Sequence, residues 1–431
     1  MGMDRKLNIG VIGGGSIFTP ELIDLLGQYT AQIGAMRVVM MDVNTERQRT
    51  VVGLCERIIK RTGRPVEIAY TDSYEEAIKG MDFILVQYRV GFEEGRISDD
   101  AIAKKHKIPF VETVSVPGMG AFLRSYYQAE IIAELVQKYA PEAWIMNFAN
   151  PSGALSEAFY RLGCKMVLGV CNGPTGYREW LAKELGAENP QEVFMNWRGL
   201  NHLNFIDGIF YKGENKYPWF ANREDKKRKD KPQPDTNFNF TEGLGFFYNS
   251  YVRYFYHKES IVDWLQKEEK TRGEAVKEVN AEILELYKDE ALDTLPEKLT
   301  HRGGFGYAKA VADLMRCLIT GEAQVHFPSL RNGTIFPELP EDAFIEVPAI
   351  AFANDVRALQ MEPLPPAAKV LVYTMKQYER ALFDAAKARD KNKLLAAMVM
   401  NPLFGSECLS RPVLEDVLEA NRAYLPETLY K

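Results

Sequence analysis

The stretch GVIGGGSIFTPELIDLL, from Gly10 to Leu26, limits what this chain can fold into more than any other. An apolar strand runs into Gly13, Gly14 and Gly15, and a helical pattern follows, with Pro20 acceptable in its first turn. Glycines at 13 and 15 permit a tight turn and a close approach of the backbone to a pyrophosphate, whose charge the N-terminus of the next helix stabilises. Phe18 follows where the usual G-x-G-x-x-G pattern has its last glycine, which enlarges the helix–strand contact and leaves the turn in place. A second strand, MRVVMMDVN, ends in Asp42 at the customary distance from that turn. A carboxylate there suits a ribose 2'-hydroxyl and repels a 2'-phosphate. The segment therefore predicts NAD rather than NADP, held by Gly13, Gly14, Gly15, Ser16, Ile17 and Asp42.

The alternation continues down the chain. TERQRTVVGLCERIIKRTG is an amphipathic helix stopped by Gly63, VEIAYTD a third strand, SYEEAIKG a short helix opened by a serine, and DFILVQYRV a fourth strand. The helix AFLRSYYQAEIIAELVQKYA, the strand AWIMNFAN, another helix and the strand KMVLGVCN extend it. This order predicts an α/β fold, a Rossmann-like doubly wound parallel sheet over residues 1–195. Near residue 195 the segments become longer and mixed. GLNHLNFIDGIFYKG alternates like an antiparallel strand pair, and a Lys/Pro/Asp/Asn-rich connection covers roughly 213–240. Helical periodicity returns in AVKEVNAEILELYKD, GYAKAVADLMRCLIT, AAKVLVYTMKQYERALFDAAKAR and SRPVLEDVLEANRAYL. Residues 196–431 thus read as a second, mixed α/β domain.

A chain of 431 residues, 46% of them hydrophobic, can fill the cores of two such domains. Its net charge of -6 gives no general attraction to nucleic acid or anionic membrane, so an acidic substrate would need local arginines. The basic run EDKKRKDKP, Glu224 to Pro232, lies among prolines and acids and reads as a solvated loop. Five cysteines (55, 164, 171, 317 and 408) form no CxxC pair, which fits a reducing compartment. The opening MGMDRKLNIG lacks the apolar core of a signal peptide, and no apolar run nears the ~20 residues of a membrane span. The expectation is a cytoplasmic protein with neither nucleic acid nor membrane as partner.

Two later stretches carry candidate chemistry. LGVCNGP sets Cys171 and Asn172 at a strand's end, and GLNHLNF supplies His202. One thiolate and one imidazole from separate segments can share a divalent ion and leave positions open for substrate oxygens. Each alone also reads as a structural thiol or a satisfied core imidazole. Together with IGGGSIFTPEL, QYRVG, NFANPSG, YVRYF, RGGFGYA and EDVLEANRAYLP, they resemble glycoside hydrolase family 4, the NAD- and metal-dependent glycosidases, and specifically its 6-phospho-β-glucosidase branch. The resemblance spans nearly the whole chain.

It implies a C-terminal domain like that of lactate and malate dehydrogenases, and hydrolysis of a phosphorylated glycoside by a redox route. The sugar is oxidised at C3, loses its C2 proton, eliminates the aglycone from C1, adds water and is reduced again, a known exception to the paired-carboxylate scheme. Cys171 and His202 match the family's ligands for a divalent ion, manganese. Tyr251, the first tyrosine of YVRYF, matches the catalytic base, and its phenol, near pKa ~10, needs nearby positive charge to act near neutrality. Asn150 and Asn172 suit sugar hydroxyls. Asn172 counts with Tyr251 as catalytic, and where members acting on α-glycosides carry Asp it points to β-linked substrates. Arg96 and Arg272 fall where a sugar phosphate is held, and Arg89 matches another active-site position. Glu112 completes the set, and a homodimer or homotetramer is implied.

The chain also departs from the family pattern. Members commonly carry Q-E-T-x-G-x-G-G where this chain has FVETVSVPGMGAFLR: Glu112 and Thr113 remain, Val111 replaces the glutamine, and Ser115, Val116 and Pro117 replace a flexible glycine segment. Ser98 stands where Asn is common. These positions touch the substrate pocket, so the leaving group and the need for a 6-phosphate stay open. Three other readings remain: a family member acting on unphosphorylated or otherwise modified glycosides, a net NAD-dependent sugar or hydroxy-acid dehydrogenase, and a non-catalytic NAD-responsive binding protein.

Overall fold

The computed structural model describes residues 6–229 and 243–430, with the backbone alone for 225–229. Its first half alternates as the hydrophobic pattern requires. Strands β1 (Leu7–Ile12), β2 (Met36–Met41), β3 (Val66–Thr71), β4 (Phe83–Val86), β5 (Trp144–Asn147) and β6 (Val167–Gly169) pair in parallel in the order β3-β2-β1-β4-β5-β6. β4, β5 and β6 are buried at every residue, the continuous apolar run of strands covered on both faces. The helix Thr45–Thr62 ends on Gly63 at φ +62°, and the short helix Tyr74–Ile78 is capped by Ser73, as their sequences predict.

The second half adds β7 (Phe194–Leu200), β8 (Leu203–Tyr211), β9 (Glu214–Asn215), β10 (Phe247–Tyr248), β11 (Gln324–His326), β12 (Ser329–Arg331), β13 (Phe344–Glu346), β14 (Ala349–Phe352) and β15 (Asp355–Ala358). The alternating segment around Leu203 is one arm of an antiparallel hairpin whose other arm is β7. One sheet then runs β10-β8-β7-β13-β12-β6 and on through the parallel strands, with β9 beside β8, so it does not break near residue 195. The joints are narrow: Ser329 pairs with Gly169, and Glu346 with Gly199. β11, β14 and β15 form a separate antiparallel sheet. The main apolar core likewise spans both halves, from Ile9, Val38 and Phe83 to Ile345, Met375 and Val413, and a smaller cluster gathers Met195, Trp197, Phe220 and Phe247.

The connection expected over 213–240 is partly regular. Tyr217–Lys229 form a helix, so Glu224 to Lys229 of the basic run are helical and not a loop; Asp230 to Pro232 lie outside the described residues. Phe220 accounts for the difference. Its buried ring meets Trp180 and Phe247 edge-on, at centroid distances of 5.7 and 4.8 Å, and anchors an otherwise charged helix. Among the described residues, no helix is long and apolar enough to cross a membrane.

Candidate active site

β1 delivers the glycine turn to the carboxyl end of the sheet, where β2 and β4 also end. Gly13 sits at φ +94°, and a Cβ there would lie 2.6 Å from the Tyr88 nitrogen, so only glycine fits. The Gly15 N–H donates to Asp42 Oδ2 at 2.9 Å, and the Asn44 N–H donates to Asp42 Oδ1 at 2.9 Å. Asp42 is thus fixed beside the turn with one oxygen on each backbone donor. Gly13, Gly15, Ser16, Ile17 and Asp42 line a cavity of about 930 Å³. Gly14 lies behind that wall, where its missing side chain makes room for Met40. Arg47 closes the turn from outside, with Nε donating to the Gly15 carbonyl at 2.9 Å and Nη1 paired with Glu93 at 3.2 Å.

The same cavity reaches Arg89, Arg96, Glu112, Asn150, Cys171, Asn172, His202, Tyr251 and Arg272. Cys171 follows β6 and caps the helix Asn172–Leu185, its Sγ accepting from the Gly173 N–H at 3.4 Å. His202 occupies the tight turn between β7 and β8 at φ +63°, a backbone region uncommon outside glycine. This conformation brings Nε2 to 3.5 Å from Cys171 Sγ, while Nδ1 pairs with Thr113 Oγ1. The Tyr251 ring stacks on the imidazole at 3.9 Å and 8°. Burial pushes His202 down to about 4, and burial followed by the Glu346 charge pushes the Cys171 thiol up to about 12. Burial, then Cys171 and Glu112, also raise the Tyr251 phenol above its ordinary value.

A neutral imidazole and a thiol whose proton a cation would displace fit one divalent ion of borderline softness. Among the described residues no group of three or more His, Cys, Asp or Glu is placed to hold a metal, so an ion at this pair keeps positions for small-molecule oxygens. Two buried carbonyl oxygens, Asn150 Oδ1 and Asn201 Oδ1, have no hydrogen-bond partner among the described residues. Asn201 and Tyr307 face the Cys171 sulfur, and Asn201 Nδ2 donates to Glu346 Oε2 at 2.9 Å.

Glu112 bridges two arginines, reaching Arg89 Nη2 at 2.6 Å and Arg96 Nη1 at 2.9 Å. Burial opposes its ionisation, yet Arg89 and Arg96 hold the carboxyl well below the usual range. Arg96 is held further by Asp100 Oδ1 at 2.8 Å. Arg272 opens the helix Arg272–Tyr287 behind a capping box of Thr271 and Glu274. Asn172 Nδ2 donates to the Phe305 carbonyl at 3.1 Å, which leaves its oxygen for other contacts. Sequence reasoning did not assign Thr113, Asn201, Glu346, Tyr307 or Arg47 to the site. The RGGFGYA motif contains Tyr307 and was a usable signal for it.

A Rossmann-ordered sheet whose glycine turn shares a cavity with a Cys–His pair defines a dinucleotide-type α/β enzyme fold. Lactate dehydrogenase from Cryptosporidium parvum shares that fold, at a TM-score of 0.56 and 14% identity, over 89% of this chain and 99% of the other. The family can also be stated: the family 4 glycosyl hydrolase model matches residues 8–187, its C-terminal domain model matches residues 197–404, and the chain belongs to that family. The 6-phospho-β-glucosidase of Thermotoga maritima is 31% identical over 97% of this chain and 99% of its own length. Its structure with manganese, NAD+ and glucose-6-phosphate superposes with a TM-score of 0.89, again over 97% and 99% of the two chains. A probable 6-phospho-β-glucosidase of Bacillus subtilis is 29% identical over 100% of this chain and 99% of its own.

Proposed function

We propose that this family 4 glycosyl hydrolase cleaves 6-phospho-β-glucosides with NAD and a divalent ion, manganese, as cofactors. The observation that carries the reading is the stack of Tyr251 on His202 at 3.9 Å beside the Cys171–His202 pair at 3.5 Å, a phenol held against the place a cation would occupy. Complexes of the Thermotoga relative with manganese, NAD+ and glucose-6-phosphate support it. When bound, NAD and manganese supply a reversible hydride acceptor and polarisation of the sugar oxygens on C2 and C3.

The protein's own groups do the rest. Gly13, Gly15, Ser16 and Ile17, with Gly14 behind them, would hold the dinucleotide's pyrophosphate, and Asp42 would accept from its ribose hydroxyl. With a divalent cation at the Cys171–His202 pair offsetting the upward push of burial, Tyr251 would give up its own proton and as a phenolate would take the sugar's C2 proton, the electron pair of the C–H bond expelling the aglycone from C1. Arg96 and Arg272 hold the 6-phosphate, while Glu112, kept ionised, fixes Arg89 and Arg96. Asn150 and Asn172 offer amide oxygens to sugar hydroxyls; an amide positions a hydroxyl and transfers no proton. A cytoplasmic homodimer or homotetramer accompanies this reading, and all five cysteines are free, as a reducing compartment keeps them.

The test is a panel of nitrophenyl glycosides, α and β, with and without the 6-phosphate, assayed in D2O with NAD, manganese and thiol reductant. The phosphorylated β-glycoside should turn over best, its sugar product should carry deuterium at C2, and no NADH should accumulate. Full activity without NAD would defeat the redox route. Stoichiometric NADH would instead identify a net dehydrogenase.

A further inference from the structure

We propose that Arg302 grips the substrate phosphate beside Arg272, and that a polar chain from the glycine turn holds it there so that cofactor and phosphate binding reinforce each other. The proposal rests on the phosphorylated-substrate reading above. Arg302 lies in the loop between the helices Glu297–Thr300 and Tyr307–Thr320 and lines the cavity. Its Nε donates to Asn280 Oδ1 at 2.9 Å, while its two terminal nitrogens have no hydrogen bond or ion pair among the described residues. Arg272 also has no carboxylate partner there, and its Nη2 would lie 3.3 Å from a Cβ on Gly303, the residue next to Arg302.

Arg89 and Arg96 face Glu112 and Asp100, whereas Arg272 and Arg302 have no carboxylate partner among the described residues, so a phosphate held by Arg96 and Arg272 meets a further unpaired guanidinium at Arg302. Burial above all, then the Arg272 and Arg89 charges, push Arg302 down to about 10 against the pull of Glu112 and Glu93, so its guanidinium is both desolvated and crowded by cations. A dianionic phosphate would relieve that crowding and accept forked hydrogen bonds from both guanidinium groups.

What fixes Arg302 leads back to the cofactor turn. Asn280 Nδ2 donates to Glu93 Oε1 at 2.6 Å, Glu93 pairs with Arg47 at 3.2 Å, and Arg47 donates to the Gly15 carbonyl at 2.9 Å. The loop is docked on the same turn directly as well. The Arg302 guanidinium lies 5.7 Å from the Phe18 ring centroid, a Cβ on Gly304 would lie 2.6 Å from that ring, and the Gly306 N–H donates to Glu21 Oε1 at 2.8 Å. Ordering the turn around a dinucleotide thus orders Arg302, and by linkage the reverse holds.

Calorimetric titration of the metal-loaded protein with glucose 6-phosphate and with glucose, with and without NAD, tests both parts. In the wild type, glucose 6-phosphate should bind more tightly than glucose, and NAD should strengthen glucose 6-phosphate binding at least about fivefold. Arg302→Gln should weaken glucose 6-phosphate at least about tenfold relative to glucose, with NAD affinity little changed, and Arg302→Lys should recover part of the loss. Asn280→Leu should reduce the coupling with NAD and leave glucose binding intact. Unaltered sugar selectivity in Arg302→Gln, with selectivity lost in Arg272→Gln, would overturn the role of Arg302 and leave the proposed function standing. Equal loss of both sugars in Arg302→Gln would reduce Arg302 to a structural part, and full coupling in Asn280→Leu would overturn the polar chain. A wild type that binds both sugars equally would defeat the phosphate reading itself.

Discussion

Glu21 is buried at the start of the helix Thr19–Gln28; its Oε1 accepts from the Gly306 N–H and its Oε2 has no hydrogen-bond partner among the described residues. Burial raises its carboxyl to about 7 from 4.5, against the lowering effect of the Gly306 hydrogen bond. Between those two values the folded protein holds a proton that the unfolded chain releases, so stability falls as pH rises through the window and is level above it. A shift of that size is worth about 3 kcal/mol. Glu21→Gln keeps the acceptor and removes the charge, so its melting temperature should exceed the wild type's near pH ~8 and converge with it below about pH 4.5. A constant difference across that range would disprove the buried charge. At the proposed metal-ligand pair, Cys171→Ser and His202→Ala should each cut turnover and manganese content by about a hundredfold or more with the fold intact by circular dichroism. Full rate and full metal in either variant would break the assignment. Cys171 and His202 are legible because each lies within a short local motif. Thr113, which holds His202 from 89 positions away, is brought there only by the completed fold, and no local spacing records it.

The helix Arg272–Tyr287 shows how an element end serves a site. Thr271 Oγ1 accepts from the Glu274 N–H, Glu274 Oε2 accepts from the Thr271 N–H at 2.7 Å, and Asp100 Oδ2 accepts from the Gly273 N–H at 3.0 Å. Three backbone donors around Arg272 are thereby fixed. Thr271→Ala should cost about 1 kcal/mol of stability and raise KM for a phosphorylated substrate more than for its unphosphorylated counterpart. Equal changes in the two KM values would separate the cap from phosphate binding. The helix's periodicity is plain in the sequence, and so are the alternation of β8 and the Gly63 stop. The helix Tyr217–Lys229 was not legible, because its sequence is rich in lysines and acids and the buried ring that anchors it, Phe220, finds Trp180 and Phe247 only in the completed fold.

Because one sheet and one core cross residue 195, the halves should unfold together. Urea unfolding followed by tryptophan fluorescence and by far-UV circular dichroism should give coincident curves; two separated transitions would make the halves independent. The parallel half was readable from its βα alternation, but β12 and β13 are too short to carry a period, so their place in the sheet had no trace in the pattern. That placement bears on synthesis. β6 ends at Gly169 and finds its outer neighbour only at Ser329, so a growing chain carries an open sheet edge until about 160 further residues are made. At translation rates of about 5–20 residues per second, the edge stays bare for on the order of 10 s, long enough to pair with another nascent chain. Ribosome-stalled chains cut short near residue 300 should therefore bind a holdase chaperone and aggregate on release, and full-length chains, in which β12 and β13 close that edge, should do neither.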